Sequence, residues 1–189
     1  YWEFKAYKIL MKKNKKSAII ISGASAQDHE FIYPFYRLLE FGLKVDVCLI
    51  GGKAVKGILG TTLPPNKNHK VKDITDIKPK NYDLLILPGG VKAMEKIRLE
   101  KKLIKFIYDF HKLKKIIACI CSGVQLLISA KIIKGKRIAG YYSLEDDITN
   151  AGAIYIDEEV VSDSKIITTA HYKDMGPWMR ETLKQLDNA

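Results

Sequence analysis

Short, continuous apolar runs alternate along this chain with longer stretches whose apolar positions recur every three or four residues. KVDVCLI (44–50) reads as a strand, and the runs SAIIIS (17–22), DLLILPGG (83–90) and KIIACIC (115–121) are aliphatic or β-branched with little polar alternation. That is the pattern of strands buried on both faces. Between them HEFIYPFYRLLEFG (29–42) and LEKKLIKFIYDFHK (99–112) have helical spacing. Asp28 is expected to cap the first of these helices and Gly42 to end it. SGVQLLISA (122–130) is expected to leave its strand directly as a helix, LEDDITNAG (144–152) reads as another, and DMGPWMRETLKQL (174–186) as the last. Short strands are expected around AIYID, EEVV and KIITTA, and residues 52–76, with Gly57, Gly60, Pro64 and Pro65, read as edge strands or loops. The alternation predicts an α/β fold in which a mostly parallel sheet is covered on both faces by helices.

Composition narrows the class. A chain of 189 residues with 47% hydrophobic and 28% charged positions fits one globular domain, assigned to 17–189, and excludes wholesale disorder. No apolar run approaches the roughly 20 residues of a membrane span. Residues 1–16, YWEFKAYKILMKKNKK, are aromatic and basic without a signal-like apolar core; they read as a leader or tag-like segment, with Met11 a candidate start. The odd set Cys48, Cys119 and Cys121 points to free thiols in a reducing cytoplasm. The net charge of +11 is carried by lysines scattered along the chain, a solvated surface rather than a nucleic-acid stripe.

In open α/β sheets ligands bind beyond the carboxyl ends of the strands, so the segments 23–30, 88–90 and 121–123 are the places to look. Cys121 follows IIACI and precedes Ser122, Gly123 and a helix, the setting of a nucleophile elbow. The helix start is expected to lower its thiol below the usual value of about 8.5; the alternative is a small buried hydrophobe. Cys119 reads as packing. Glu30 falls in the first turn of the helix after the first strand and reaches Cys121 if the two strands are neighbours. There it could act as general acid or base, or it could simply complement the helix dipole. Gly89 and Gly90 permit close backbone approach, and the N–H groups of Gly90 and Ser122 could form an oxyanion hole, the alternative being an ordinary βα turn. His29, His69, His111 and His171 are dispersed and C-x-C lacks a second pair, so no metal site is expected. GGKAVKG (51–57) does not fit a dinucleotide loop.

Taken together, DHEFIYP (28–34), LLILPGG (84–90), IACICSG (117–123), QLLISAKIIKGKR (125–137), DDITNAG (146–152) and WMRETLKQL (178–186) resemble the ThiJ/PfpI superfamily, most closely its PfpI branch. The resemblance implies a flavodoxin-like three-layer sandwich of the class I glutamine amidotransferase-like type, homodimers or higher homo-oligomers, and peptidase, cofactor-independent glyoxalase or deglycase activity. It makes Cys121 the nucleophile, Glu30 its acid, and Gly90 and Ser122 the oxyanion-hole positions. Glu95 would reach a neighbouring subunit, with Val91 an insertion before it. Three departures stand out: Ser122 where peptidase members carry His, Gln27 in place of a second acid, and the stretch from Thr169 to Met175 in place of the usual late motif. Tyr141 and His171 are candidates for the pocket wall or an accessory acid.

The function expected is therefore covalent catalysis on a small reactive carbonyl through a Cys121 hemithioacetal, with no metal or nucleotide cofactor. The alternatives are a PfpI-type intracellular cysteine peptidase, which lacks its usual imidazole here, and a redox-sensing stress protein in which Cys121 is oxidised without turnover.

Overall fold

The computed structural model describes residues 16–189, so the leader-like segment falls outside the described residues except for Lys16. The first strand, β1 (Ser17–Ser22), leads into helix α1 (Asp28–Glu40) and strand β2 (Lys44–Leu49). A hairpin of β3 (Val55–Lys56) and β4 (Thr62–Leu63) comes next, then the edge strand β5 (Val71–Lys72). Strand β6 (Leu84–Leu87) gives way to α2 (Val91–Ile97) and α3 (Lys101–Lys112), and β7 (Ile116–Ile120) to a single 3-10 turn and α4 (Val124–Ser129). The chain closes through β8 (Arg137–Ile138), α5 (Glu145–Asn150), β9 (Ile154–Tyr155), β10 (Val161–Asp163), β11 (Ile166–Thr169) and α6 (Met175–Asp187).

Seven strands form one sheet in the order β10-β11-β7-β6-β1-β2-β5, parallel throughout except for β10 against β11. Every residue of β6 and β7 is buried, as continuous aliphatic runs require. Helix α1 packs against α6 on one side and α3 against α4 on the other, which makes the three layers of an α/β sandwich. Trp178, fully buried, ties α6 to the sheet by donating its indole N–H to the Ile167 carbonyl at 3.1 Å. The strands read from the apolar runs are thus the central ones, and the ends of β1, β6 and β7 lie side by side.

One local expectation needs correction, and one helix lies where none is predicted. Asp28 does not cap α1: Gln27 holds that position without a side-chain bond, and Asp28 is the first helical residue. Its carboxylate instead accepts the N–H groups of Leu59 at 2.8 Å and Thr61 at 3.0 Å in the β3–β4 hairpin. Two converging amides of a tight turn outcompete the helix's own N–H groups for the same oxygens. The unpredicted helix is α2, which starts without a side-chain cap from Gly90 at φ 102°, a left-handed conformation that glycine adopts without a Cβ penalty. Among the described residues no helix is long and apolar enough to cross a membrane.

Candidate active site

Cys121 stands one residue past β7 with φ 59°. A non-glycine residue in that region is strained, and such strain persists only where the surroundings over-determine it. The turn swings the thiol out of the sheet edge, and the Cys121 carbonyl accepts the N–H of Tyr141 at 3.2 Å, drawing that tyrosine to the site. Cys119, two residues earlier, stays 1% exposed inside the core and belongs to the packing.

Glu30 reaches Cys121 by a route different from the one expected. β1 and β7 are not neighbours; β6 runs between them. β6 ends at Pro88 and Gly89, and it is the missing side chain of Gly89 that lets the two groups meet. A Cβ there would stand 2.6 Å from Glu30 Oε2 and 2.9 Å from the Cβ of Cys121. Gly89 contributes positively too, donating its N–H to Glu30 Oε2 at 2.8 Å. Gly90 is equally confined, since an added Cβ would lie 2.6 Å from the Gln27 nitrogen.

Depth sets the electrostatics. Glu30 is fully buried, and loss of hydration pushes its carboxyl up to about 7 against the pull of the Gly89 N–H and the Cys121 thiol. Burial first, and then the negative charge of Glu30, push the Cys121 thiol up to about 12, although the backbone N–H of Ser122 works the other way. The thiol is therefore raised, not lowered as the helix-start argument predicts. Cys121 opens a three-residue 3-10 turn, and the helix beyond it has only six residues. The dipole of so short a helix is weak and is outweighed by desolvation.

A cleft of about 340 Å³ opens over this pair, lined by Gln27, Glu30, Ile58, Gly90, Val91, Cys121, Ser122, Tyr141, His171 and Tyr172. All of the sequence-derived candidates except Glu95 converge here. Glu95 sits on the exposed face of α2, outside the lining. His171 uses Nδ1 to accept the Lys173 N–H at 3.2 Å, which orients its ring against Tyr172, 4.0 Å away between centroids. The side-chain oxygens of Gln27 and Ser122 and Oε1 of Glu30 are buried without a hydrogen-bond partner among the described residues. Buried polar atoms left unpaired are costly, and these three belong to residues that line one cleft. The structure adds Ile58, Val91 and Tyr172 to the lining. Sequence reasoning has no signal for Ile58, which lies in the loop-like stretch, and it reads Val91 only as an insertion. Among the described residues no group of three or more His, Cys, Asp or Glu is gathered as a metal-ligand set.

The sequence matches the DJ-1/PfpI family over residues 16–185. It is 36% identical over 171 residues to deglycase PfpI of Pyrococcus furiosus, covering 89% of this chain and 98% of that protein. It is 32% identical over 175 residues to general stress protein 18 of Bacillus subtilis, covering 92% and 98%. Among solved structures, a two-domain protein of Anabaena variabilis with DJ-1/ThiJ/PfpI-like and ferritin-like domains superposes with a TM-score of 0.84 at 28% identity. That match covers 92% of this chain and 48% of the longer two-domain chain. The chain belongs to the DJ-1/PfpI family.

Proposed function

We propose that this member of the DJ-1/PfpI family is an enzyme that converts small α-oxoaldehydes, or their early adducts with amines, through a covalent bond to Cys121. One observation carries the reading: a buried carboxyl poised near neutrality lies beside a strained cysteine at the floor of an open cleft. A raised thiol is a poor nucleophile alone, so its proton must leave as the sulfur attacks. Glu30, at about 7, is a base suited to take it at physiological pH.

In the proposed sequence the sulfur adds to the aldehyde carbon and the thiol proton passes to Glu30, which returns it to the carbonyl oxygen to give a hemithioacetal. Glu30 then moves the proton from the former aldehyde carbon to the neighbouring ketone carbon by way of an enediol. The first carbon is oxidised to the thioester level while the second is reduced to an alcohol, so no external oxidant is required. Water cleaves the thioester, releasing a 2-hydroxy acid and restoring the thiol. With an amine adduct as substrate, the sulfur displaces the amine, which leaves with a proton, and the same hemithioacetal results. The backbone N–H groups of Gly90 and Ser122 are the proposed holders of the developing oxyanion. The name deglycase borne by the Pyrococcus relative supports this substrate class.

The test is conversion of methylglyoxal to lactate by the parent protein, Cys121→Ala and Glu30→Gln. Turnover that depends on both residues is the expected result. Turnover surviving in Cys121→Ala overturns the covalent route, and a parent that never turns over but takes up peroxide oxygen at Cys121 alone points to a redox sensor.

A further inference from the structure

The cleft is larger than its chemistry requires. Methylglyoxal has three carbons and two oxygens, whereas about 340 Å³ falls in the range of pockets that hold drug-sized ligands. We propose that the mouth of the cleft is a second subsite, holding a flat aryl group joined to the reacting carbonyl, so that aryl-substituted α-oxoaldehydes are preferred over the three-carbon one. The inference rests on the covalent reading above and names the substrate class of that site.

Two kinds of surface meet at the mouth. On one part of the rim Tyr141, His171 and Tyr172 form a continuous aromatic wall: the Tyr141 ring lies 6.4 Å from His171, tilted by only 24°, and His171 packs on Tyr172. Rings at such spacing leave edges and faces open to a further ring 4.5–7 Å away. Tyr141 and Tyr172 are exposed, so this stacking surface is accessible. The rest of the rim is aliphatic, from Ile58 and Val91, each 49% exposed.

Ile58 is not on a loose loop. Its own N–H donates to the Ala26 carbonyl at 2.9 Å, the Ser25 N–H donates to the Lys56 carbonyl at 2.8 Å, and Asp28 takes the next two contacts along the turn. At Gly57 a Cβ would lie 2.4 Å from the Asp28 carboxylate, so the hairpin is seated as closely as glycine allows. An apolar side chain fixed beside a reactive thiol yet left in water gains its burial only when a ligand covers it. Desolvating a phenyl-sized group between these walls corresponds to a binding gain of about 10- to 100-fold.

The experiment labels the thiol and needs no turnover. 2-Chloroacetophenone and chloroacetone alkylate Cys121 by the same step: sulfur displaces chloride, which leaves with the bonding electrons, and the thiol proton goes to Glu30 and then to solvent. Second-order rates at Cys121 are read by peptide mass spectrometry, and the ratio of the two reagents is compared with their ratio on glutathione. The expected parent ratio exceeds that of glutathione by about 10- to 100-fold, and Ile58→Ala and Tyr141→Ala both move it back toward the free-thiol value. Both side chains are exposed, so the variants keep the fold. A parent ratio equal to that of glutathione, or one that neither substitution changes, overturns the subsite. An enhanced ratio in a protein that turns over no oxoaldehyde keeps the subsite and overturns the catalytic reading.

Discussion

Cys48, near the end of β2, and Cys121, just past the end of β7, are both thiols at the carboxyl side of parallel strands, and both are pushed up to about 12. Burial is the main cause in each case, but the secondary causes differ. Around Cys48 the carboxylates of Asp73 and Asp76 act at a distance, and the thiol is wholly enclosed by core. Around Cys121 the carboxylate is in contact, is itself half-titrated near neutrality, and shares a cleft with the sulfur. A raised thiol is therefore no mark of function. The two regions are separated by a partner able to accept the proton and a path for a substrate to arrive.

The sharpest way to break the comparison is to remove each sulfur. Cys121→Ala should lower turnover by about 10³-fold or more, while Cys48→Ala should leave turnover within about twofold, both measured as lactate formed from methylglyoxal. Equal losses would dissolve the distinction. Glu30→Gln keeps the shape and removes the base; turnover should fall by about 10²- to 10⁴-fold. In the parent, kcat/KM should rise with pH through an apparent value near 7, as Glu30 becomes able to accept the proton, and the Gln variant should lack that limb. Gly89→Ala tests whether contact alone matters, because the new methyl group would wedge between Glu30 and Cys121. A loss of activity comparable to that of Glu30→Gln, with the far-ultraviolet circular dichroism unchanged, is the expected outcome.

Glu30 also links stability to pH. Its folded value is raised above the unfolded 4.5 to about 7, so its contribution is fully present below about pH 4.5 and is lost as pH rises through about 7. The loss should reach on the order of 3 kcal/mol, visible in urea unfolding of the parent at pH 5 and 8 and largely absent from Glu30→Gln. The smallest expected effect belongs to the hairpin clamp. Asp28→Ala leaves two amides without their acceptor and should cost about 1–3 kcal/mol, read by the same unfolding curves.

Much of this is legible in the chain. The aliphatic runs around Ile19, Leu85 and Ile117 mark the central strands because a strand buried on both faces tolerates no polar alternation. Cys121 can be placed on its turn because an apolar run broken by Cys-Ser-Gly before a helical pattern is a local signal. Ile58 cannot be placed, since its position depends on a hairpin seated by Asp28 across the fold. Helix α2 starts from a Pro-Gly-Gly turn with no capping side chain to announce it, and Asp28 reads as a cap because a capping residue and a hairpin clamp look alike in sequence.

The sequence by itself determined the order of strands and helices, the elbow that carries Cys121, and the presence of an acid in the first turn of α1, all properties set by neighbours along the chain. Only the tertiary structure decided that Glu30 and Cys121 meet. They sit on connections from strands that are not adjacent, and their contact runs over Gly89, where β6 ends without a side chain to separate them. The tertiary structure also decided the direction in which the thiol is shifted. Helix dipoles can be read from local sequence, but desolvation depends on everything that packs around a group, and at this site burial is the stronger force.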